Sequence, residues 1–355
     1  MILLDWAVLV ITLLLIIFYG VLKSRGSNNN IEGYLKGGNS MGWGTIGLSV
    51  MATQASAITF LSVPGQAYES GMAFVQNYFG LPLALIIVSA VFIPIYYRLK
   101  VYTAYEYLEG RFDAKTRLLT ASLFMLGRGM GAGITIYAPA IILSKVLSLN
   151  LNLTILFVGL LVVIYTVSGG TKAVSLTQKY QMLVIFTGMF IAFFILIEKL
   201  PDFMNLGKAL SITGALGKLE AVDFSFDLEK RYTFWTGITG GLFLSLSYFG
   251  TDQSQVQRYL GGTNITQSRI GLMMNAVVKI PMQFFILFLG VMLFLFYQFE
   301  KPPVFFNKAE LETVVDPQYK EQLNGFENDY AQWHEENKIL ITEYSLSEND
   351  LTEEQ

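Results

Sequence analysis

The chain has 355 residues, of which 53% are hydrophobic and only 14% are charged, and its mean hydropathy is +0.48. Charged residues make up about a quarter of an average soluble domain, so this composition indicates a protein that crosses a membrane several times. The net charge of −3 is small, and the sequence has no basic domain or recognised motif that would suggest nucleic-acid binding. The lack of cysteine argues against a disulfide framework and a thiolate metal site. The single histidine, His334, lies in a polar region, which argues against a haem or zinc centre in the membrane.

Seven or eight apolar segments are predicted along the chain, each close to the roughly 20 residues that a spanning helix needs. In order they are Leu3–Leu22, Gly44–Val63, Ala73–Tyr97, Leu118–Leu147, Leu153–Ser168, Tyr180–Ile197, Thr233–Phe249 and Ile270–Gln298. The first lacks a basic start and a cleavage site, so it is interpreted as a retained helix. Pro64-Gly65 is predicted to end the second segment, and Gly169-Gly170 the fifth.

The second segment is apolar at both ends but polar in its middle, from Met51 to Thr59. A helix that breaks at membrane depth leaves backbone carbonyls unpaired, and such carbonyls can bind a cation. Ala52 and Ala55 would present two carbonyls to the same side, with the hydroxyl of Ser56 close by. Na⁺, a hard cation, prefers oxygen ligands of this kind. The alternative is an unbroken small-residue helix that packs closely on a neighbour, and the stretch alone leaves both open.

Four further polar residues inside apolar segments or at their start are candidates for a binding site. Arg128 could hold a substrate carboxylate, or it could pair with an acid or a backbone carbonyl, or extend to the interface. Tyr248 could stack on a ligand, or be an interfacial aromatic. Lys279 could contact a ligand or tether a carbonyl, and Gln178 is interpreted as polar lining or a cap. We find no motif typical of a hydrolytic or redox enzyme, so catalysis is not expected.

The distribution of basic residues predicts the orientation of the chain in the membrane. With eight helices, the linkers after the first, third, fifth and seventh lie on one side, which would be the cytoplasm. They contain Lys23, Arg25, Lys36, Arg98, Lys100, Arg111, Lys115, Arg117, Lys172, Lys179, Arg258 and Arg269. The N-terminus and the acidic stretch 299–355 would then be extracellular or periplasmic, and that stretch is either partly helical or disordered.

Several motifs occur in the order found in one transporter family. They are ATQASAIT with VPGQAYESG after it, TAYEYLEGRFDAKTR, YTVSGGTKAVSLTQKYQ and DQSQVQRYL. With these motifs the chain resembles the sodium:solute symporter family over roughly Leu3 to Gln298. The likeness is greatest to the sodium–sialic acid symporter branch and more distant to the sodium/glucose cotransporters.

The resemblance implies an all-α polytopic fold of the amino acid transporter type, with inverted five-helix repeats and one extra N-terminal helix. The extra helix and its cytoplasmic linker would be residues 1–43, and the first repeat 44–198. An extracellular loop, 199–232, would lead to the first two helices of the second repeat, 233–298, and then to the acidic stretch. The chain is therefore expected to be cut short within the second repeat and to continue beyond Gln355.

The resemblance also implies a site. Its sodium ligands would be the carbonyls of Ala52 and Ala55, and Ser56 and Thr59 would contact substrate as in the sialate branch. Tyr248 takes the place of the gating aromatic of the sugar transporters, and Lys279 that of their sugar-contacting lysine.

Three positions depart from the family pattern. Tyr78 replaces the acid of the sugar transporters, so hexose recognition of that kind is not expected, although Tyr78 remains a substrate candidate. Arg128 lies one turn before the sialate-branch arginine, where this chain has Gly131. Gln178 replaces an aspartate and marks a possible second ion or coupling position.

The expected function is therefore sodium-coupled symport of a small polar organic solute, such as a sugar, a sugar acid like sialate, or a related organic anion. Na⁺ is the coupling ion, no other cofactor is expected, and the partners are the solute, Na⁺ and membrane lipid, without nucleic acid. A non-transporting membrane sensor or scaffold with a carrier-like fold is the alternative. A channel is less favoured, because the sequence shows no repeated carbonyl filter or ring of charges.

Overall fold

The computed structural model describes residues 31–147, 149–227, 229–304 and 317–353, together with positions 11, 12, 14, 15, 18, 19 and 22. These residues confirm the all-α prediction, because their one pairing of extended backbone is an isolated parallel bridge between Met41 and Gly262. The predicted first helix, Leu3–Leu22, lies largely outside the described residues, and its described positions are helical.

We label the helices α1 to α13 in chain order. They are α1 Ile31–Lys36, α2 Trp43–Gln54, α3 Ala57–Ser70, α4 Leu81–Ile87, α5 Ile93–Leu99, α6 Glu106–Arg111, α7 Ala114–Leu147, α8 Leu151–Glu198, α9 Leu206–Ala215, α10 Phe234–Gly250, α11 Gln253–Leu260, α12 Ile265–Phe299 and α13 Pro317–Glu353. A 3-10 turn at Gly71–Tyr78 precedes α4, and a π-helical turn at Val88–Phe92 joins α4 to α5.

Within the described ranges, four helical stretches are long and apolar enough to cross a membrane. They are Ile58–Leu99, Ala114–Lys145, Gly169–Glu198 and Ile265–Phe299, and Leu151–Ile164 is a shorter apolar helix. These stretches contain the predicted third, sixth and eighth segments and most of the fourth, and the first of them also includes the end of the predicted second. They support a multi-pass membrane protein. The predicted seventh segment is α10, a helix of 17 residues.

The structure corrects two predicted boundaries and one predicted loop. Pro64-Gly65 does not end a helix, because α3 continues through Pro64 to Ser70; a proline removes a single helical hydrogen bond, which membrane helices tolerate. The chain does break at Gly170, yet helix resumes immediately rather than at Tyr180. The polar loop before α10 contains α9, whose first turn is capped by Asn205: its side-chain oxygen accepts from the Lys208 amide at 2.9 Å.

The described residues divide into two compact units. The first unit comprises 1–61, 75–187 and 222–283, and its buried core includes Val50, Leu85 and Phe249. Within it, α10 approaches the turn before α4 so closely that a Cβ on Gly237 would lie 2.0 Å from the Gln76 carbonyl oxygen. Small residues allow such close contact between helix backbones.

The second unit comprises 62–74, 188–221 and 284–355. Here α13 packs through polar contacts: His334 Nε2 lies 2.9 Å from the Tyr297 carbonyl oxygen, and Asn337 Nδ2 donates to Gln298 Oε1 at 2.8 Å. Of the two predictions for the acidic stretch, the helical one therefore holds for residues 317–353.

Candidate functional site

The predicted interruption between Met51 and Thr59 is present. Helix α2 ends at Gln54 and α3 begins at Ala57, and Ala55 between them has φ −89° and ψ 81°. The Thr59 amide donates to the Ser56 carbonyl oxygen at 3.0 Å, whereas in a continuous helix it would donate to Ala55. The alternative of an unbroken small-residue helix is therefore wrong.

The interruption leaves oxygen atoms without their usual helical donors. The amide that would bond to the Ala55 carbonyl is diverted, and Ser56, whose amide would bond to the Ala52 carbonyl, lies outside both helices. Gln54 adds a buried side-chain oxygen, Oε1, that has no hydrogen-bond partner within the described part of the chain. Sequence reasoning missed this atom. Neutral oxygen atoms of this kind are the ligands that a hard monovalent cation prefers.

The two hydroxyls proposed for substrate differ in their local contacts. Thr59 Oγ1 donates to the Gln54 carbonyl oxygen at 3.4 Å, a long hydrogen bond that is readily exchanged for a better one. Ser56 supplies its carbonyl to the Thr59 amide and is half-buried. Both residues stay candidates for contact with a solute.

Arg128 on α7 is engaged by an acid. Its Nη2 atom forms an ion pair with Asp252 and donates to Ser254 Oγ at 2.9 Å. The guanidinium carbon also lies 5.4 Å from the centre of the Tyr248 ring, within the range of a cation–π contact. This geometry matches the prediction that Arg128 pairs with an acid, and its role as a carboxylate anchor stays a prediction.

Tyr248 occupies the last turn of α10 beside a cavity. Its hydroxyl accepts from Gln255 Nε2 at 2.8 Å, which ties the end of α10 to α11. The cavity measures about 340 Å³, and Tyr105, Phe124 and Asp252 also line it. Burial raises the pKa of Tyr105 to about 12, so this hydroxyl remains protonated at neutral pH. The role of Tyr248 as a residue that closes on a ligand stays a prediction.

Lys279 and Tyr78 lie together. Lys279 is 1% exposed, and its Nζ atom lies 5.8 Å from the centre of the Tyr78 ring. Among the described residues, no carboxylate lies within 4 Å of Nζ, although burying an ammonium ion without a counter-charge is costly. The structure therefore places two predicted substrate residues in contact, and one of them, Lys279, is a buried basic group.

Gln178 accepts a hydrogen bond from Ser49. The Ser49 hydroxyl is fully buried on α2, and its oxygen lies 2.8 Å from Gln178 Oε1 on α8. This contact connects the helix before the first interruption to the helix segment that follows Gly170. A second ion or coupling position at Gln178 stays a prediction.

The contacts of the candidate residues form separate groups. One is the interruption with Ala52, Ala55, Ser56 and Thr59, another is Lys279 with Tyr78, a third is Arg128 with Tyr248 and Asp252, and a fourth is Gln178 with Ser49. The partners Asp252 and Ser49 were not predicted, because they lie 124 and 129 residues from the groups they bind.

Comparisons with known proteins agree on one family. A family model described as the sodium:solute symporter family matches residues 34–310. The chain is 32% identical over 274 residues to the sodium/iodide cotransporter of Homo sapiens, covering 77% of this chain and 42% of that protein. It is 33% identical over 277 residues to the sodium-coupled monocarboxylate transporter 1 of Xenopus laevis, covering 77% and 44%. The chain thus spans less than half the length of these relatives.

A solved structure agrees with these matches. It is the substrate-bound, outward-open state of a Na⁺-coupled sialic acid symporter, and it aligns with a TM-score of 0.77 at 29% identity. The alignment covers 86% of this chain and 64% of that one. The resemblance found from the motifs is therefore confirmed.

Proposed function

The chain belongs to the sodium:solute symporter family, and from that premise we propose that it serves sodium-coupled symport of a small polar organic solute by alternating access. Its family and relatives are transporters rather than enzymes. Sugars, sugar acids such as sialate and related organic anions form the solute class. Because the named relatives carry iodide, monocarboxylates or sialic acid, anions are favoured within that class.

The observation that carries this proposal is the interruption between α2 and α3. A soluble ion can enter a membrane protein only where polar groups replace its lost water ligands. The carbonyls of Ala52 and Ala55 would do so for Na⁺, and the buried oxygen of Gln54 lies beside them in the chain. Ser56 and Thr59 follow directly, so the ion and the solute would meet at the same interruption.

The charge near Lys279 supports the choice of an anion. A buried ammonium group beside an aromatic ring is complementary to a carboxylate. In this proposal Lys279 and Tyr78 attract the acidic end of the solute, and Tyr248 closes over it. Arg128 holds Tyr248 and Asp252 in place, since all three are already in contact.

Coupling follows if Na⁺ and the solute favour the same conformation. Na⁺ would stabilise the separated ends of α2 and α3, which positions the two hydroxyls for the solute. Coupling free energies between two such sites are typically about 1–3 kcal/mol. A gradient of Na⁺ could then drive accumulation of the solute.

The test is uptake by the full-length protein in proteoliposomes. We expect uptake of labelled sialate, a sugar or a short monocarboxylate to require an inward Na⁺ gradient, and to fall to background when K⁺ replaces Na⁺. Equal uptake in both salts would reject sodium coupling. Binding of Na⁺ without uptake of any member of a broad solute panel would favour the alternative, a membrane sensor or scaffold.

The proposed orientation has its own test, because the chain contains no cysteine. Gly325 on α13 and Gly110 on α6 both have open space where a Cβ would lie. In intact cells, a membrane-impermeant maleimide should label Gly325→Cys and spare Gly110→Cys until the cells are opened. Labelling of Gly110→Cys in intact cells would reverse the proposed orientation.

A further inference from the structure

A basic cavity lies at the junction of α5, α6 and α7 in the first unit. It measures about 860 Å³, and three arginines line it: Arg98, Arg111 and Arg117. Two glutamates, Glu106 and Glu109, share the same wall. The kind of ligand that this cavity can bind therefore depends on which of these charges are already paired.

Both glutamates pair with Arg117, which leaves Arg98 and Arg111 without a carboxylate partner within the described ranges. Arg117 forms an ion pair with Glu109 and lies 3.7 Å from Glu106. For Arg98 and Arg111, no carboxylate of the described residues lies within 4 Å, and Arg111 donates only a long hydrogen bond of 3.4 Å to the Tyr107 hydroxyl. Two guanidinium groups are thus available to a ligand with negatively charged oxygens.

An apolar cavity of about 450 Å³ adjoins the basic one, and Ile95 and Tyr107 belong to both walls. Its remaining wall is almost entirely hydrocarbon and aromatic: Val91, Phe92, Tyr96, Ala104, Tyr105, Leu108, Thr120 and Thr251. Protein interiors are normally close-packed, and a space of this size falls within the range of ligand pockets, about 300–1,000 Å³. A soluble anion bound in the basic cavity would leave the apolar cavity empty.

The pair of cavities lies where two membrane-spanning stretches end. Leu99 is the last residue of one stretch, and Ala114 is the first residue of the next. Large apolar side chains between and after these ends are exposed, including Phe112 at 65% and Leu118 at 69%. Such side chains next to arginines are typical of the boundary between the hydrocarbon core and the lipid headgroups.

We propose that these two cavities form a binding site for an anionic glycerophospholipid. The phosphate of the headgroup lies between Arg98 and Arg111, and one acyl chain fills the apolar cavity beneath it. Basic pockets between membrane helices bind acidic headgroups in this way. The proposal concerns a bound lipid rather than the transported solute, and it stands whether or not the protein transports.

The test measures lipid binding to the full-length protein by native mass spectrometry, with phosphatidylglycerol and phosphatidylcholine of identical acyl chains. We expect selective retention of phosphatidylglycerol. The double variant Arg98→Gln/Arg111→Gln should bind it roughly 10- to 30-fold more weakly, because it removes charge-assisted hydrogen bonds to the phosphate. The control Lys100→Gln/Lys115→Gln removes two positive charges from the same connection between α5 and α7. Neither residue lines either cavity, so the affinity of this variant for phosphatidylglycerol should not change. If both double variants bound phosphatidylglycerol equally weakly, general charge attraction would explain the binding and the proposed site would be wrong.

Two further arms separate a lipid from a soluble phosphate. Thr120→Trp should fill the apolar cavity and reduce retention of phosphatidylglycerol while leaving the arginines in place. Glycerol 3-phosphate, which has the phosphate but no chains, should fail to displace the lipid. Displacement by glycerol 3-phosphate at equal concentration, or unchanged binding in Thr120→Trp, would overturn the lipid assignment. Thermal unfolding of each variant checks that its fold is intact.

Discussion

The two helix interruptions of the first unit have different origins. At Gly170 the backbone has φ 60° and ψ −171°, a conformation that is almost restricted to glycine. At Ala55 it has φ −89° and ψ 81°, which any L-residue can adopt, and neither glycine nor proline is present between Gln54 and Ala57. The local sequence thus determines the interruption at Gly170, whereas tertiary surroundings must maintain the one at Ala55.

This difference suits the proposed roles. An interruption set by a glycine conformation does not depend on contacts with other helices, so we expect it to stay in place when the protein changes conformation. An interruption held by weaker contacts, such as the long hydrogen bond from Thr59 to Gln54, can respond to an ion that binds to its carbonyls. Substitutions at the two interruptions test whether they differ in this way.

The largest effect is expected for Gly170→Val. A β-branched residue in this conformation should cost about 3 kcal/mol of folding stability, because its Cβ is strained at positive φ. Thermal unfolding of the purified protein measures the loss. The control is Gly188→Val in the same helix, where a Cβ meets open space. If both variants unfold at the same temperature, the Gly170 backbone is not the cause of that interruption.

A smaller loss, about 2 kcal/mol, is expected for Gln178→Leu. This substitution removes the acceptor of the buried Ser49 hydroxyl, and an unsatisfied buried hydroxyl costs about 1–3 kcal/mol. Gln178→Glu keeps an acceptor oxygen and should retain more stability at neutral pH. Equal unfolding temperatures for Gln178→Leu and the unaltered protein would show that this contact does not hold the two helices together.

The double variant Ser56→Ala/Thr59→Val tests the interruption itself. We expect roughly a tenfold loss of Na⁺-driven uptake, since two hydroxyl hydrogen bonds contribute about 0.5–1.5 kcal/mol each. Membrane insertion should stay the same, and the unfolding temperature should fall only slightly, because the hydrogen bond lost from Thr59 to Gln54 is a long one. Unaltered uptake, measured in proteoliposomes at limiting solute, would remove both hydroxyls from the site.

The smallest effect is expected for Ala55→Gly. Glycine gains freedom in the unfolded chain, which should cost about 0.5–1 kcal/mol, but the native backbone needs no change. Thermal unfolding should therefore show a small shift beside that of Gly170→Val. A shift as large as that of Gly170→Val would mean that Ala55, too, is under local backbone constraint.

Local patterns predicted much of the fold. The long apolar runs that became α7 and α12 were located to within about five residues, because spanning a membrane requires length and hydrophobicity that stand out in sequence. The interruption at Met51–Thr59 was predicted because polar residues inside an apolar run are costly unless they serve a purpose.

Features that depend on distant contacts were not predicted. The pairing of Arg128 with Asp252 joins positions 124 residues apart, and no local signal marks either as the partner of the other. Helix α9 was missed because it is short and lies in a polar stretch. The path of α3 through Pro64 was missed because proline was taken to end a helix, although its cost is a single hydrogen bond where neighbours support the chain.

The π-helical turn at Val88–Phe92 allows the chain length to vary in this part of the molecule without a change in its contacts. A π-helical turn holds one extra residue within a full turn, so the side chains before and after it keep their directions. Deleting any one residue from it would restore a regular α-helical turn without rotating α5 about its axis. Tyr96 would still donate to the Gly250 carbonyl oxygen, now 2.7 Å from its hydroxyl, and Arg98 would still line its cavity. A relative lacking one residue here would be expected to have kept both contacts.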